Sequence, residues 1–286
     1  MTRLAVAKTY KLFIGGAFPR SESGRTYPVA SPGGDFLANA AKASRKDARD
    51  AVVAARGAVP GWSGATAYNR GQILYRVAEM LEGRRAQFVE EVRAARGVSA
   101  QQAGDTVDAS IDRWVWYAGW ADKYAQVVGG SNPVAGPYFN LSVPEPTGVV
   151  AIVAPQESPL LGLVNVVAPA IVSGNAVVVI ASERHPLPAM SLAEVIATSD
   201  MPKGVVNVLT GSAAEIAPWL ASHADVDGID LTGAGALDWV DLEIAAVDTL
   251  TRVMRPSPLE DAVAPSLERI VSWTEVKTVW HTRSLR

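Results

Sequence analysis

The sequence contains no cysteine. Disulfides, thiolate-held metals and a thiol nucleophile of the chain's own are thereby excluded. Only three histidines occur, His185, His223 and His281, and they lie too far apart for metal-ligand spacing. No apolar run reaches membrane-spanning length without polar interruption. The opening MTRLAVAKTYKLFIGG lacks the layout of a signal peptide. The net charge is −3 and no long basic run exists, which argues against a nucleic-acid surface. Neither a P-loop nor a Gly-x-Ser-x-Gly elbow appears. The expectation is a cytoplasmic protein without nucleic-acid or membrane partners.

What is present is a chain of 286 residues, enough for one large domain or two modest ones. Residues 11–36 read as short strands and turns. Asp47 to Val59 reads as a helix stopped by Pro60-Gly61. Longer helices are predicted from about Asn69 to Arg96 and from about Asp105 to Val127. The second carries Trp114, Trp116, Tyr117, Trp120 and Tyr124, read as packing or subunit-contact residues. From Val149 onward strands and helices alternate: strands Val149–Ala154, Ala176–Ile180, Val205–Leu209 and Val226–Leu231, with single helices between them. That spacing demands a parallel sheet with right-handed crossovers. A last helix is predicted from about Leu237 to Met254, then a Pro-rich linker. RIVSWTEVKTVWH alternates like an edge strand.

The order of local strings carries more than the pattern does. LFIGG…SGRTYPVASP, DARDAVVAARGAVPGW, NRGQILYRVAEMLEGR, WYAGWADK, PTGVVAIVAP, VAPAIVSGNAVVV, PKGVVNVLTG and HADVDGIDLTG follow one another. This series resembles the aldehyde dehydrogenase superfamily over about residues 11–254, and TEVKTVWH resembles its carboxy-terminal oligomerisation strand. The resemblance implies an α/β fold with a Rossmann-like parallel sheet, flanking helices and a small oligomerisation β element. It divides the chain into an amino-terminal hairpin and helical part (1–128), an oligomerisation strand segment (129–146), the α/β core (147–254), a linker (255–268) and a closing oligomerisation strand (269–286).

The same resemblance implies a chemistry: a cysteine thiolate attacks the aldehyde, hydride passes to NAD(P), and a glutamate assists thioester hydrolysis. The cysteine-bearing domain would follow the core, yet here the chain passes directly to the tail strand, so a truncated homologue is expected. No catalytic residue is assigned. The family's oxyanion-donating amide position holds Glu157, which when ionised cannot donate a hydrogen bond. A lone carboxylate at a helix start reads more simply as a dipole-matched cap.

Cofactor-binding positions implied by the resemblance are Val153, Pro155, Ser182, Glu183, Gly211 and Gly233. The lysine expected beside Glu183 is Ile180. A phosphate-cradling glycine is replaced by Asp238, which opposes anion binding. No cofactor is expected to be retained; NAD or NADP is what the crevice would take. The leading expectation is therefore a non-catalytic relative. It would act as a structural or regulatory subunit, as a homo- or hetero-oligomer, with a full-length aldehyde dehydrogenase as one partner. Two alternatives stand beside it: an NAD(P)-dependent subunit receiving its thiol from another chain, and a small-ligand or nucleotide sensor using the old crevice.

Overall fold

The computed structural model describes residues 8–257 and 264–283. The expectations for the first seven residues, and for the part of the linker around Pro258, lie outside the described residues.

Strands β1 (Thr9–Tyr10), β2 (Thr26–Ala30) and β3 (Phe36–Ala41) form a small sheet in the order β1-β3-β2. Helix α1 (Arg45–Gly64) opens on a reciprocal capping box between Ser44 and Asp47. The expected stop at Pro60 does not occur. Trp62 is buried and its indole N–H donates to the Ile171 carbonyl at 2.8 Å, so tertiary anchoring carries the helix past the proline.

The single helix expected from Asn69 to Arg96 is two, α2 (Ala67–Gly83) and α3 (Arg85–Arg96), broken at Arg84. The next is also divided, into α4 (Ala100–Trp120) and α5 (Tyr124–Val128). Helix α4 starts earlier than expected because Ser99 and Gln102 form a second capping box. Trp114, Tyr117 and Tyr124 are buried in the core. Strands β4 (Gly130–Ser131) and β5 (Tyr138–Pro146) follow.

The main α/β unit runs β6 (Val149–Val153), α6 (Leu161–Val172), β7 (Ala176–Ile180), α7 (Leu187–Ala197), β8 (Val206–Leu209), α8 (Ala213–Ala221) and β9 (Gly228–Asp230). Where one helix was expected from Leu237 to Met254, the chain forms α9 (Trp239–Ala245), a 3-10 turn (Val247–Thr249) and a fifth strand, β10 (Arg252–Met254). Leu250, at φ +54°, reverses the chain between helix and strand. Helix α10 (Leu267–Val271) begins inside the expected linker and leads to β11 (Thr274–Thr282).

The five-stranded sheet is parallel, in the order β10-β9-β6-β7-β8. Its central strands β6 and β7 are covered on both faces and continuously apolar. Alternate residues feed two cores. Val150, Ile152, Val177 and Val179 join one, with Trp62, Phe88 and Trp114. Val149, Ala151, Val178 and Ile180 join the other, with α1 and α8. Each fully buried side chain of this size stabilises by about 1.5–3 kcal/mol. The small amino-terminal sheet is tied on by a two-way backbone bridge between Phe13 and Val208. Among the described residues no helix is long and apolar enough to cross a membrane.

Candidate functional site

In an open parallel sheet, ligands bind outside the carboxyl ends of the strands. The residues singled out in the sequence lie there. Val153 ends β6, and its carbonyl accepts the Gly233 N–H at 2.9 Å. Pro155 follows in the β6–α6 turn and packs close to Gly162. Ser182 follows β7. Its hydroxyl donates to the Gln156 carbonyl at 2.8 Å and accepts the His185 N–H at 3.1 Å. Glu183 is exposed, and its N–H donates to Oε1 of Gln156 at 2.9 Å. Gly211 stands one strand further out, at φ +125°, where a Cβ would meet the Ala43 backbone nitrogen at 3.1 Å. Val153, Ser182, Glu183 and Gly233 thus share one junction, while Gly211 packs on the end of β3.

Two residues of this junction went unrecognised in the sequence. Gln156 bridges it: Nε2 donates to the Ala154 carbonyl at 2.8 Å while Oε1 holds Glu183. Tyr27 of β2 reaches over from the small sheet. Its hydroxyl lies by the Gly211 backbone, and burial, then the charge of Glu183, pushes its pKa up. It makes no well-formed hydrogen bond. A polar residue in a Pro-bounded turn would have been the signal for Gln156. Nothing in the sequence marked Tyr27.

The capping role expected for Glu157 is not observed. Leu160 is the N-cap residue of α6, the Ser158 hydroxyl accepts the Gly162 N–H at 2.8 Å, and Glu157 instead pairs with Arg184 at 3.1 Å. Both partners are about three-quarters exposed, so the pair contributes little stability. Asp238 caps α9 through the Asp241 N–H. Beside the Glu157–Arg184 pair lies a cavity of about 450 Å³ reached also by Ser31, Arg96 and His185. His185 is partly buried, and desolvation lowers its pKa. Among the described residues no group of three or more His, Asp or Glu side chains is placed to hold a metal.

The donor set fits a dinucleotide poorly. Ile180, standing where a ribose-binding lysine would be needed, is fully buried in the same apolar cluster as Ala213, Ile216 and Ala234. Leu237 and Trp239 pack against that cluster. The N-terminus of α8 offers Ala213 in place of a second glycine, and α9 opens on a carboxylate.

The carboxyl end of β9 carries a second feature. Asp230 is fully buried; its Oδ1 accepts the Thr232 N–H at 2.8 Å and its Oδ2 lies 3.3 Å from Nη1 of Arg269. Arg269 comes from α10, and the same nitrogen lies near Thr232 and Met254. Burial pushes the Asp230 carboxyl above its usual range, with Arg269 opposing. Helix α10 is therefore fastened onto the ends of β9 and β10.

A model of the aldehyde dehydrogenase family matches residues 18–238. The chain belongs to the aldehyde dehydrogenase family. It is 32% identical over 259 residues to cytosolic aldehyde dehydrogenase 1 of Elephantulus edwardii, covering 88% of this chain and 51% of that protein. To retinal dehydrogenase 2 of Gallus gallus it is 35% identical over 253 residues, covering 86% and 48%. Among solved structures, betaine aldehyde dehydrogenase of Staphylococcus aureus in complex with NAD+ superposes with a TM-score of 0.81 at 25% identity, over 85% of this chain and 48% of that one. The chain spans about half the length of these relatives. The parallel sheet with flanking helices is the family's cofactor-domain architecture.

Proposed function

We propose that this aldehyde dehydrogenase family chain works by assembly rather than by aldehyde oxidation of its own. It is a structural or regulatory subunit that joins a full-length aldehyde dehydrogenase, or a second copy of itself, through the β5–β11 element. The observation that carries this reading is the sheet β11-β5-β4. Strand β11 pairs with β5 over nine residues, from Thr274↔Pro146 to Thr282↔Tyr138, and among the described residues it has no strand neighbour on its other side. Val276 and Trp280 of β11, with Tyr138 and Phe139 of β5, are large apolar side chains left exposed there. An open edge of this length invites pairing with another chain.

The test is co-purification of the tagged chain from its own cells, followed by native mass spectrometry. A stoichiometric complex with a cysteine-bearing aldehyde dehydrogenase is expected. The double substitution Val276→Lys/Trp280→Glu should weaken association by about 100-fold, as loss of two interface anchors does, while the melting temperature stays near that of the parent. Deleting residues 270–286 would be a poorer test. Trp273 is fully buried and its carbonyl accepts the Asn175 side chain and the Thr147 N–H, so the deletion strips the core as well. A complex untouched by the double substitution would move the interface elsewhere.

The non-catalytic half of the reading rests on the absence of cysteine, on Glu157, and on the buried Ile180. The S. aureus relative holds NAD+. For this chain, calorimetric titration with NAD and with NADP is expected to give no saturable binding up to about 1 mM, a ligand contribution weaker than about −4 kcal/mol. A dissociation constant in the low micromolar range for either nucleotide would restore the alternative of a cofactor-loaded subunit.

A further inference from the structure

A second concave site lies away from the strand-end junction, in the small amino-terminal sheet. It is a cavity of about 320 Å³ reached by Tyr10, Lys11, Arg20, Arg25, Thr26 and Ala41. That volume suits one small molecule. No carboxylate lines it. Its three cations come from separate places: Lys11 just after β1, Arg20 in the loop that follows, and Arg25 just before β2.

These three share one hollow without a counter-charge. Several other basic side chains nearby are paired or stacked. Lys8 pairs with Glu194, Lys42 with Glu215, Lys46 with Glu22 and Arg49 with Asp50. Arg45 lies over the Trp219 ring. Lys11, Arg20 and Arg25 have no ion-pair partner among the described residues, in a chain whose net charge is negative. Cations left unpaired and gathered round one hollow create a local positive potential that a compact multivalent anion would relieve. Two guanidinium groups and one ammonium favour the oxygen-rich, tetrahedral phosphate group, which accepts forked hydrogen bonds from arginine. Thr9 and Thr26 add hydroxyls to the same wall.

We propose that the cavity bounded by Lys11, Arg20 and Arg25 is a binding site for the phosphate group of a small phosphorylated metabolite. The site is independent of the assembly reading. Its position gives it reach, however. Ala41 lines the cavity, and the Ala41 carbonyl accepts the Thr210 hydroxyl while the Ala43 N–H donates to the Thr210 carbonyl at 2.8 Å. Thr26 lines the cavity while its neighbour Tyr27 points to the other face, toward the Gly211 backbone. A ligand here would brace the same two strands that border the junction at the end of β8.

The experiment is calorimetric titration of the full chain with inorganic pyrophosphate at fixed ionic strength, with sodium chloride as the matched control. One saturable site is expected. The pair Arg20→Gln/Arg25→Gln should weaken it by about 30-fold or more, since charged hydrogen bonds to phosphate are the strong ones. Arg20→Lys/Arg25→Lys keeps the charge but loses the fork and should fall between. Lys277→Gln, on β11, should bind like the parent. Arginine side-chain NMR shifts on titration report the site directly and do not depend on any variant. Absence of saturation, equal binding by the double-glutamine variant, or citrate binding as tightly as pyrophosphate would each overturn the proposal.

Discussion

Replacing Gly233 by alanine is expected to abolish soluble folding. A Cβ at this position would stand 1.9 Å from the Ala154 carbonyl oxygen, 2.3 Å from its carbon and 2.7 Å from the Val153 oxygen. All three are backbone atoms at the end of the central strand β6, whose residues are fully covered. None can yield as a flexible side chain would. The Gly233 N–H already donates to Val153, so the turn cannot back away without losing that bond. A clash of this kind belongs among the substitutions costing more than about 4 kcal/mol, against a total stability of about 5–15 kcal/mol. Gly235→Ala is the control: nothing lies within 4 Å of its Cβ position, and its stability should be unchanged. Soluble yield and thermal melts decide the matter. If Gly233→Ala melts within a few degrees of the parent, close packing is not what keeps this glycine, and a ligand-facing role regains force.

Arg269→Met should be the most damaging single change outside the glycines. It removes the partner of Asp230, a carboxylate with no solvent exposure. Stranding one member of a buried ion pair costs about 3–5 kcal/mol. The loss should depend on pH, and in the direction opposite to the common carboxylate case. Burial already raises the Asp230 pKa above its unfolded value. The native state therefore binds this proton more readily than the unfolded state does. The contribution of Asp230 to stability falls as pH rises from the unfolded pKa through the folded one. Losing Arg269 raises the folded pKa further, so the deficit should be largest at neutral pH and shrink on acidification. Asp230→Asn/Arg269→Met should recover much of the loss, because asparagine keeps an acceptor for the Thr232 N–H without the charge. Denaturant melts from pH 5 to 8 test this; a deficit independent of pH would show that Arg269 acts through packing alone.

The parallel sheet was legible because its central strands are apolar on both faces, and runs such as Val149–Val153 and Ala176–Ile180 have few other uses. Strand β10 was not. It is three residues long, is only partly buried, and follows a short helix, so the helical period swallowed it. Pro60 misled for another reason: the force that carries α1 past it comes from the Trp62–Ile171 bond, made over a hundred residues away. Ser182, Glu183 and Gly233 could be placed just past the ends of their strands, which follows from the strand boundaries alone. Gly211 and Gly233 are each explained by a neighbouring backbone, a contact that no single stretch of sequence contains. The partnership of Asp230 with Arg269 was equally hidden, since each looks like an ordinary charge until the fold brings them together.

The pairing of β5 with β11 bears on how the chain is made. During synthesis β5 leaves the ribosome well over a hundred residues before β11 does. At about 5–20 residues per second this leaves β5 waiting on the order of ten seconds. In that interval its strand pairing among the described residues is limited to the two-residue β4. Tyr138 and Phe139 stand at one end of that unfinished edge. Such pairings between distant segments are slow to form and expose the nascent chain to wrong partners. Dependence on a holding chaperone, or on a partner subunit present during translation, should therefore be strongest while this strand is uncovered.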